Sequence, residues 1–526
     1  MWVPLLAQLI AFAPAETNLN FVLQHNPTPQ KHMLETMAGG LAVLDYNNDG
    51  RPDLFFTSGA SLPSLRKDDP KFANRLFRND GNWKFTDVTL EAGLAGEGYA
   101  IGAAVGDFDN DGNADLFVAG VYRNTLYRNL GNGRFADVTA ASRIKSNEWS
   151  VAGGWFDFDN DGLLDLWVTN YGTIDLKNPR FCGDADRKLR VYCHPKYFDP
   201  RPNQVYRNLG NGVFEDVSAS SGVAKHLGRG MSIAFADYDG DGRSDVFVTN
   251  DNLPNFLFRN LGNGKFEEAG LLAGAALQDH GRPVASMGAD FRDYDNDGRP
   301  DIVFTALSGE TFPLFKNNGK AGFLDATHAS QLARLTNPFA GWGVGLVDFD
   351  NDGRKDLFTA NSHVNDIVEK FEAAVYRQPN TVFHNAGSGK FTLVEKSGLE
   401  GALKAHRGAV FADFDGDGKV DVVVTSLSEP AEVWRNVSTA GHWLAVEVRG
   451  TRSNRSGIGA RISVRGQHDH KTTSVSYASS ADVPVHFGLG KSDQPVRVEI
   501  QWPSGTRQVL EKVKADQIVS ATEPGI

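Results

Sequence analysis

Short apolar runs, bounded by turns, recur along this chain. One set follows a glycine-rich lead: Gly39-Gly40-Leu41-Ala42-Val43-Leu44, Ile101-Gly102-Ala103-Ala104-Val105-Gly106 and Met231-Ser232-Ile233-Ala234-Phe235-Ala236. A second set follows an acidic loop: Leu54-Phe55-Phe56, Leu116-Phe117-Val118 and Val246-Phe247-Val248. Runs this short, closed by turns, read as buried strands. A third strand, such as Thr125–Asn129, leads into Leu130-Gly131-Asn132-Gly133, whose Asn-Gly pair signals a hairpin. A fourth follows as Phe135–Thr139, and no segment between repeats keeps a helical period.

The four-strand phrase repeats seven times at intervals of 50 to 80 residues, which predicts an all-β chain built as a seven-bladed β-propeller over residues 20–437. Fourth strands open on Phe85, Phe135, Phe214, Phe266, Phe323 and Phe391, whereas the seventh unit stops at Trp434-Arg435-Asn436. Asn20-Phe21-Val22-Leu23 is expected to complete that blade and remove an open edge. An irregular, proline-containing excursion over 171–203 interrupts the third unit. Beyond about Ser438 the acidic loops cease. Alternating runs such as Leu444–Val448, Arg461–Val464 and Val496–Ile500 predict a small antiparallel β domain over 441–524.

The acidic loops carry the candidate chemistry. Their side-chain oxygens fall at positions 1, 3, 5 and 9, with glycine at position 6. The first loop has Asp45, Asn47, Asp49 and Asp53; the second Asp107, Asp109, Asp111 and Asp115; the third Asp157, Asp159, Asp161 and Asp165. The fourth has Asp237, Asp239, Asp241 and Asp245; the fifth Asp293, Asp295, Asp297 and Asp301. The sixth has Asp348, Asp350, Asp352 and Asp356, and the seventh Asp413, Asp415, Asp417 and Asp421. Oxygens so spaced can wrap one hard cation. An EF-hand would place glutamate at position 12, but here stand Phe56, Val118, Val168, Val248, Phe304, Thr359 and Val424, inside the second strand. All-oxygen ligation favours Ca²⁺ over zinc or copper, and Mg²⁺ keeps more of its own water. Up to seven ions, mainly structural, are expected. The alternative is metal-free Asx turns, opposed by repulsion of roughly 4 kcal/mol per carboxylate pair about 4 Å apart at an effective dielectric near 20.

Charge, composition and short motifs add to this picture. The loops hold 27 of the 65 acidic residues, so seven dications would more than offset the formal charge of −12. No basic stripe suits nucleic acid, although Arg452, Arg455, Arg461 and Arg465 make the C-terminal domain locally basic without interleaved aromatics. Residues 1–15 read as an export signal ending Ala13-Pro14-Ala15, or as an apolar segment packed on the fold; no stretch is long enough to span a membrane. Cys182 and Cys193 lie in the excursion. A local disulfide suits an exported chain, with two free thiols or a thiolate metal pair with His194 as alternatives. Asn436-Val437-Ser438 and Asn454-Arg455-Ser456 match glycosylation acceptors.

The loop phrase with its glycine-rich strand resembles FG-GAP/VCBS repeats, as in integrin α propellers. Ser453–Arg461, His486-Phe487-Gly488-Leu489-Gly490 and Trp502-Pro503-Ser504-Gly505 look like an ASPIC/UnbV domain. The combination resembles the cartilage acidic protein family over nearly the whole chain. That resemblance implies secreted, calcium-binding, adhesive or ligand-binding proteins, with no catalytic residues to carry over. Asn47 departs from the loop pattern and implies weaker binding there. The expected role is a binding or adhesion module for an extracellular protein or glycan, of unknown oligomeric state. A polysaccharide lyase or hydrolase is the alternative. The ligand face is expected opposite the acidic loops, around Glu35, Glu148, Trp149, Tyr171, Arg229, Asp251, Arg282, Trp342, His363, His406 and Arg407, each of which could equally be a loop residue bonded to its neighbours. The repeated Arg-Asn pairs (Arg78-Asn79, Arg128-Asn129, Arg207-Asn208, Arg259-Asn260) read as hairpin structure.

Overall fold

A computed structural model describes residues 10–145 and 147–525. Each acidic loop joins two antiparallel strands, and two further strands complete a four-stranded unit, as in Ala100–Gly106, Asp115–Gly120, Thr125–Asn129 and Phe135–Asp137. Seven such units are present among the described residues, and their innermost strands pack in cyclic order, the first against both the second and the last. The inner strands are buried on both faces, which is why they are glycine- and alanine-rich where blades converge. A Cβ on Gly102 would lie 2.3 Å from the Val151 carbonyl oxygen.

The last blade is closed by Phe12–Pro14, which pairs antiparallel with Trp434–Asn436. This corrects the expectation for Asn20–Leu23. Phe21 instead stacks on Phe56 with ring centroids 4.4 Å apart, and Val22 makes only an isolated bridge to Pro430. The reason lies in aromatic packing. The second loop residue of each blade meets the phenylalanine opening the next blade's fourth strand: Phe108 with Phe214, Phe158 with Phe266, Tyr238 with Phe323 and Tyr294 with Phe391. Phe349 needs the same partner and finds Phe12, at 5.1 Å. Residues 10–14, part of the segment read as an export signal, thus pack on the fold; residues 1–9 of that segment lie outside the described residues.

The C-terminal domain has two sheets around its own core. His442–Arg449 pairs antiparallel with Val485–Gly490 and, unlike the expected all-antiparallel arrangement, parallel with Gln517–Thr522. From this domain a hairpin, Ser474–Val475 and Ser479–Ala481, enters the centre of the propeller and pairs in parallel with Leu41–Leu44. Its tip is fully committed. Ser476 Oγ accepts from the Val344 and Ala409 amides, its carbonyl accepts from Ser232 Oγ, and Tyr477 Oη donates to Met37 O. The channel of this propeller is therefore filled by its own chain.

Candidate metal loops and the two faces of the propeller

Each acidic loop is preorganised by its backbone. In the second, Asp107 Oδ1 and Oδ2 accept from the Asp111 and Gly112 amides at 3.0 and 2.8 Å, and Asp115 accepts from Phe108 N and Asn129 N. Position 4 and position 6 both have φ near the left-handed region, 57° at Asn110 and 90° at Gly112, which explains asparagine or glycine at the first and glycine at the second. Burial pushes Asp107 and Asp157 up to about 7 against the hydrogen bonds that favour ionisation, and neighbouring aspartates add to the rise. Position-3 oxygens of Asn47, Asp109, Asp159, Asp295 and Asp350 are buried without a hydrogen-bond partner. Clustered oxygens, an unmet acceptor and no nitrogen or sulfur donor in most loops fit a hard dication.

The Arg-Asn pairs contain two separate devices. The asparagine is an interblade staple: Asn129, Asn208, Asn260, Asn317, Asn385 and Asn436 Nδ2 donate to the position-2 carbonyl of the preceding blade's loop, at 2.8–3.0 Å. Asn79 donates to Phe414 O at 3.2 Å and closes the ring. The cation at the preceding position instead covers the loop carboxylates: Arg128 on Asp109, Arg207 on Asp159, Arg259 on Asp239, Lys316 on Asp295 and Arg435 on Asp415. Arg78, whose loop has Asn47, turns to Asp80. Hairpin structure accounts for the asparagine Oδ1, which accepts from the turn amide as Asn129 does from Gly131, and not for the interblade bond or the cation. The signal was the exception, since the neutral third residue occurs in the blade whose arginine faces elsewhere.

The loop face is covered by the C-terminal domain. Arg455 N donates to Asn110 Oδ1, Gly441 N to Asp350 O, and Gly490 N to Asn351 O. Position-4 asparagines link successive loops, as Asn110 to Gly162 O and Asn296 to Gly353 O. At the fourth loop that position is Gly240, and Arg461 of the C-terminal domain spans the gap from Asp237 to Gly298 O. Of the four arginines that make the C-terminal domain locally basic, Arg455 and Arg461 thus face the loops. Both glycosylation candidates fail on access: Asn436 and Asn454 are fully buried and donate to Phe349 O and Ile458 O.

On the opposite face, most ligand candidates lie under the protein's own surface. Trp149 and Tyr171 are covered by Phe198 of the excursion, and Tyr171 Oη donates to Asp251. Arg229 donates to Phe198 O. Glu35 accepts from Tyr192, also of the excursion. Arg407 lies 3.9 Å over the Trp342 ring and donates to Thr36 O and Ser362 Oγ; His406 meets Glu432 and Asn361 O. His363 is buried and accepts from Asn365 N. Glu148 is partly exposed and paired with Arg201, and Arg282 is exposed. The expected central depression is therefore packed. The excursion that fills it is closed by Cys182–Cys193, with S–S 2.02 Å, and leaves its 183–188 tip in solvent.

A propeller of strand–loop–strand acidic repeats, capped on its loop face by a small β domain, defines the class. The chain matches the FG-GAP-like repeat over 45–118, 107–168, 184–248, 237–304, 293–359 and 372–424, and the family described as ASPIC and UnbV over 450–526. It belongs to the FG-GAP-like repeat family and carries a C-terminal ASPIC/UnbV domain. It is 30% identical to cartilage acidic protein 1 of Homo sapiens over 340 residues, which is 62% of this chain and 48% of that protein. The Mus musculus counterpart is 30% identical over 341 residues, 62% of this chain and 49% of its own length. The chain thus spans about half the length of the curated relatives it matches. Among solved structures, an Agrocybe aegerita lectin that recognises non-reducing terminal N-acetylglucosamine covers 75% of this chain and 87% of its own, at 15% identity and TM-score 0.39. Among the described residues no helix is long and apolar enough to cross a membrane.

Proposed function

We propose that this protein is an exported propeller, loaded with Ca²⁺ in its acidic loops, that binds an extracellular protein or glycan through the face opposite those loops. The observation that carries this reading is the asymmetry of the two faces. The loop face is occupied by the chain's own C-terminal domain, through contacts such as Arg455 with Asn110 and Arg461 with Asp237. The opposite face carries a disulfide-closed excursion whose Arg187 and Lys188 stand exposed. Calcium supplies fixed positive charge where carboxylates converge; the residues of positions 1, 3, 5 and 9 hold it. The similarity to cartilage acidic protein 1 supports an extracellular setting. The lyase or hydrolase alternative gains no support, because His406 is enclosed and Glu148 is paired.

The test is binding to glycan and secreted-protein arrays in calcium, by the native protein and by the double substitution Arg187→Glu, Lys188→Glu. Binding that the double substitution abolishes supports the assignment of this face. Binding it leaves intact, or release of products from polysaccharides by the native protein, overturns it.

A further inference from the structure

We propose that the sixth loop is a mixed nitrogen–oxygen site that takes a transition-metal dication of the Co²⁺ or Zn²⁺ class in preference to Ca²⁺, with His384 as its imidazole ligand. The inference rests on the reading of the acidic loops as cation sites and distinguishes one from the rest. At the end of the third strand the other blades carry a permanent cation: Arg78, Arg128, Arg207, Arg259, Lys316 and Arg435. Such a group neutralises loop carboxylates but cannot ligate a metal. The sixth blade has His384. Its Nδ1 lies 3.1 Å from Asp356 Oδ1 and 3.9 Å from Asp350 Oδ2. Asp350, Asp352 and His384 each offer a ligand atom within 4.8 Å of the others.

A further observation points to a ligand. Asp350 is 4% exposed, yet its Oδ1 has no hydrogen-bond partner. The loop is also clamped by its neighbours. Asn351 is 1% exposed, with its side chain held between Gly418 O and His486 Nε2, while the Gly441 amide closes on Asp350 O. An imidazole nitrogen raises affinity along the series towards cobalt, copper and zinc. A metal held there would displace a proton from the His384–Asp356 pair to solvent.

Cobalt is the probe, because an imidazole-bound Co²⁺ absorbs in the visible. The purified protein in excess calcium is expected to retain one equivalent of Co²⁺, displaced by Zn²⁺. The substitution His384→Arg recreates the arrangement of the neighbouring blades. It is expected to lose that equivalent while keeping the calcium-dependent rise in melting temperature, which reports that the variant is folded. The converse, Arg207→His beside Asp159 and Asp161, is expected to raise uptake to two equivalents. Cobalt uptake that His384→Arg leaves unchanged, or no uptake by a native protein that calcium stabilises, overturns the assignment. Cobalt held through His384 in a protein that calcium does not stabilise supports the sixth site and overturns the calcium reading instead.

Discussion

One asparagine side chain ties each pair of neighbouring blades, and its loss is costly because both groups it meets are buried. Asn208 Nδ2 donates to Phe108 O across the blade boundary and to Leu164 O within its own blade, at 2.8 and 3.0 Å. Asn208→Ala leaves those carbonyls without this donor, and a buried acceptor left unmet costs about 1–3 kcal/mol. A loss of about 2–4 kcal/mol by urea unfolding is expected, against under about 0.5 kcal/mol for a solvent-facing control such as Lys265→Ala. The same scale sets a pH response. Asp107 and Asp157, raised to about 7 by burial, bind protons in the folded metal-free chain that the unfolded chain has released. Their ionisation therefore weakens the chelated fold as pH rises through about 7, and lowering pH from 8 to 5 is expected to raise its melting temperature. In calcium the sign reverses, since protons then compete with the metal. Parallel trends with and without chelator would contradict the assignment of these carboxylates as metal ligands.

At the scale of elements, Phe12–Pro14 and the central hairpin hold the ring together, and neither was legible as such in the sequence. Phe12-Ala13-Pro14 repeats the opening of Phe135-Ala136-Asp137, but its place in an apolar N-terminal run directed attention to export. The hairpin was harder to see, because Ser474–Ala481 lacks an alternating apolar face. Its serines meet inner-strand amides rather than a hydrophobic core, as Ser479 Oγ and Ser480 Oγ do with Leu41 N and Val105 N. By contrast, the repeat and its acidic turns were readable, since each follows from local turn chemistry and strand length. The packing of the opposite face is not legible in the sequence, because the excursion's path depends on long-range contacts, such as Tyr192 with Glu35, that no local pattern encodes. Phe12→Ala removes the ring that packs against Phe349 and is expected to cost about 3–5 kcal/mol, read as a lower urea midpoint. Hydrogen exchange should then rise first at Trp434–Asn436. Protection there equal to the native protein would mean that the final blade is closed some other way.

For the whole molecule, the acidic loops and the C-terminal domain are two parts of one assembly. The domain rests on the loops and sends its hairpin through the ring they bound. Its other anchor is Asp469, which accepts from Arg292 Nη1 at 2.7 Å and faces Lys355. Burial alone would raise this carboxyl, but those two cations hold it down to about 2. Its contribution is thus fully present above about pH 4 and lost only as pH falls through about 2, so it does not vary across neutral pH. Cation removal at pH 7 should therefore act on docking through the loops alone. With calcium at about five times its dissociation constant, each occupied site adds about 1 kcal/mol, and several sites act together. Chelation is expected to lower the melting temperature and to raise hydrogen exchange at Ser474–Ala481 and at the loop amides of Asp111 and Gly112. Leu444–Val448, inside the domain's own core, should stay protected. A melt unchanged by chelator at low ionic strength, with the hairpin still protected, would show that the ring and its plug stand without the metal.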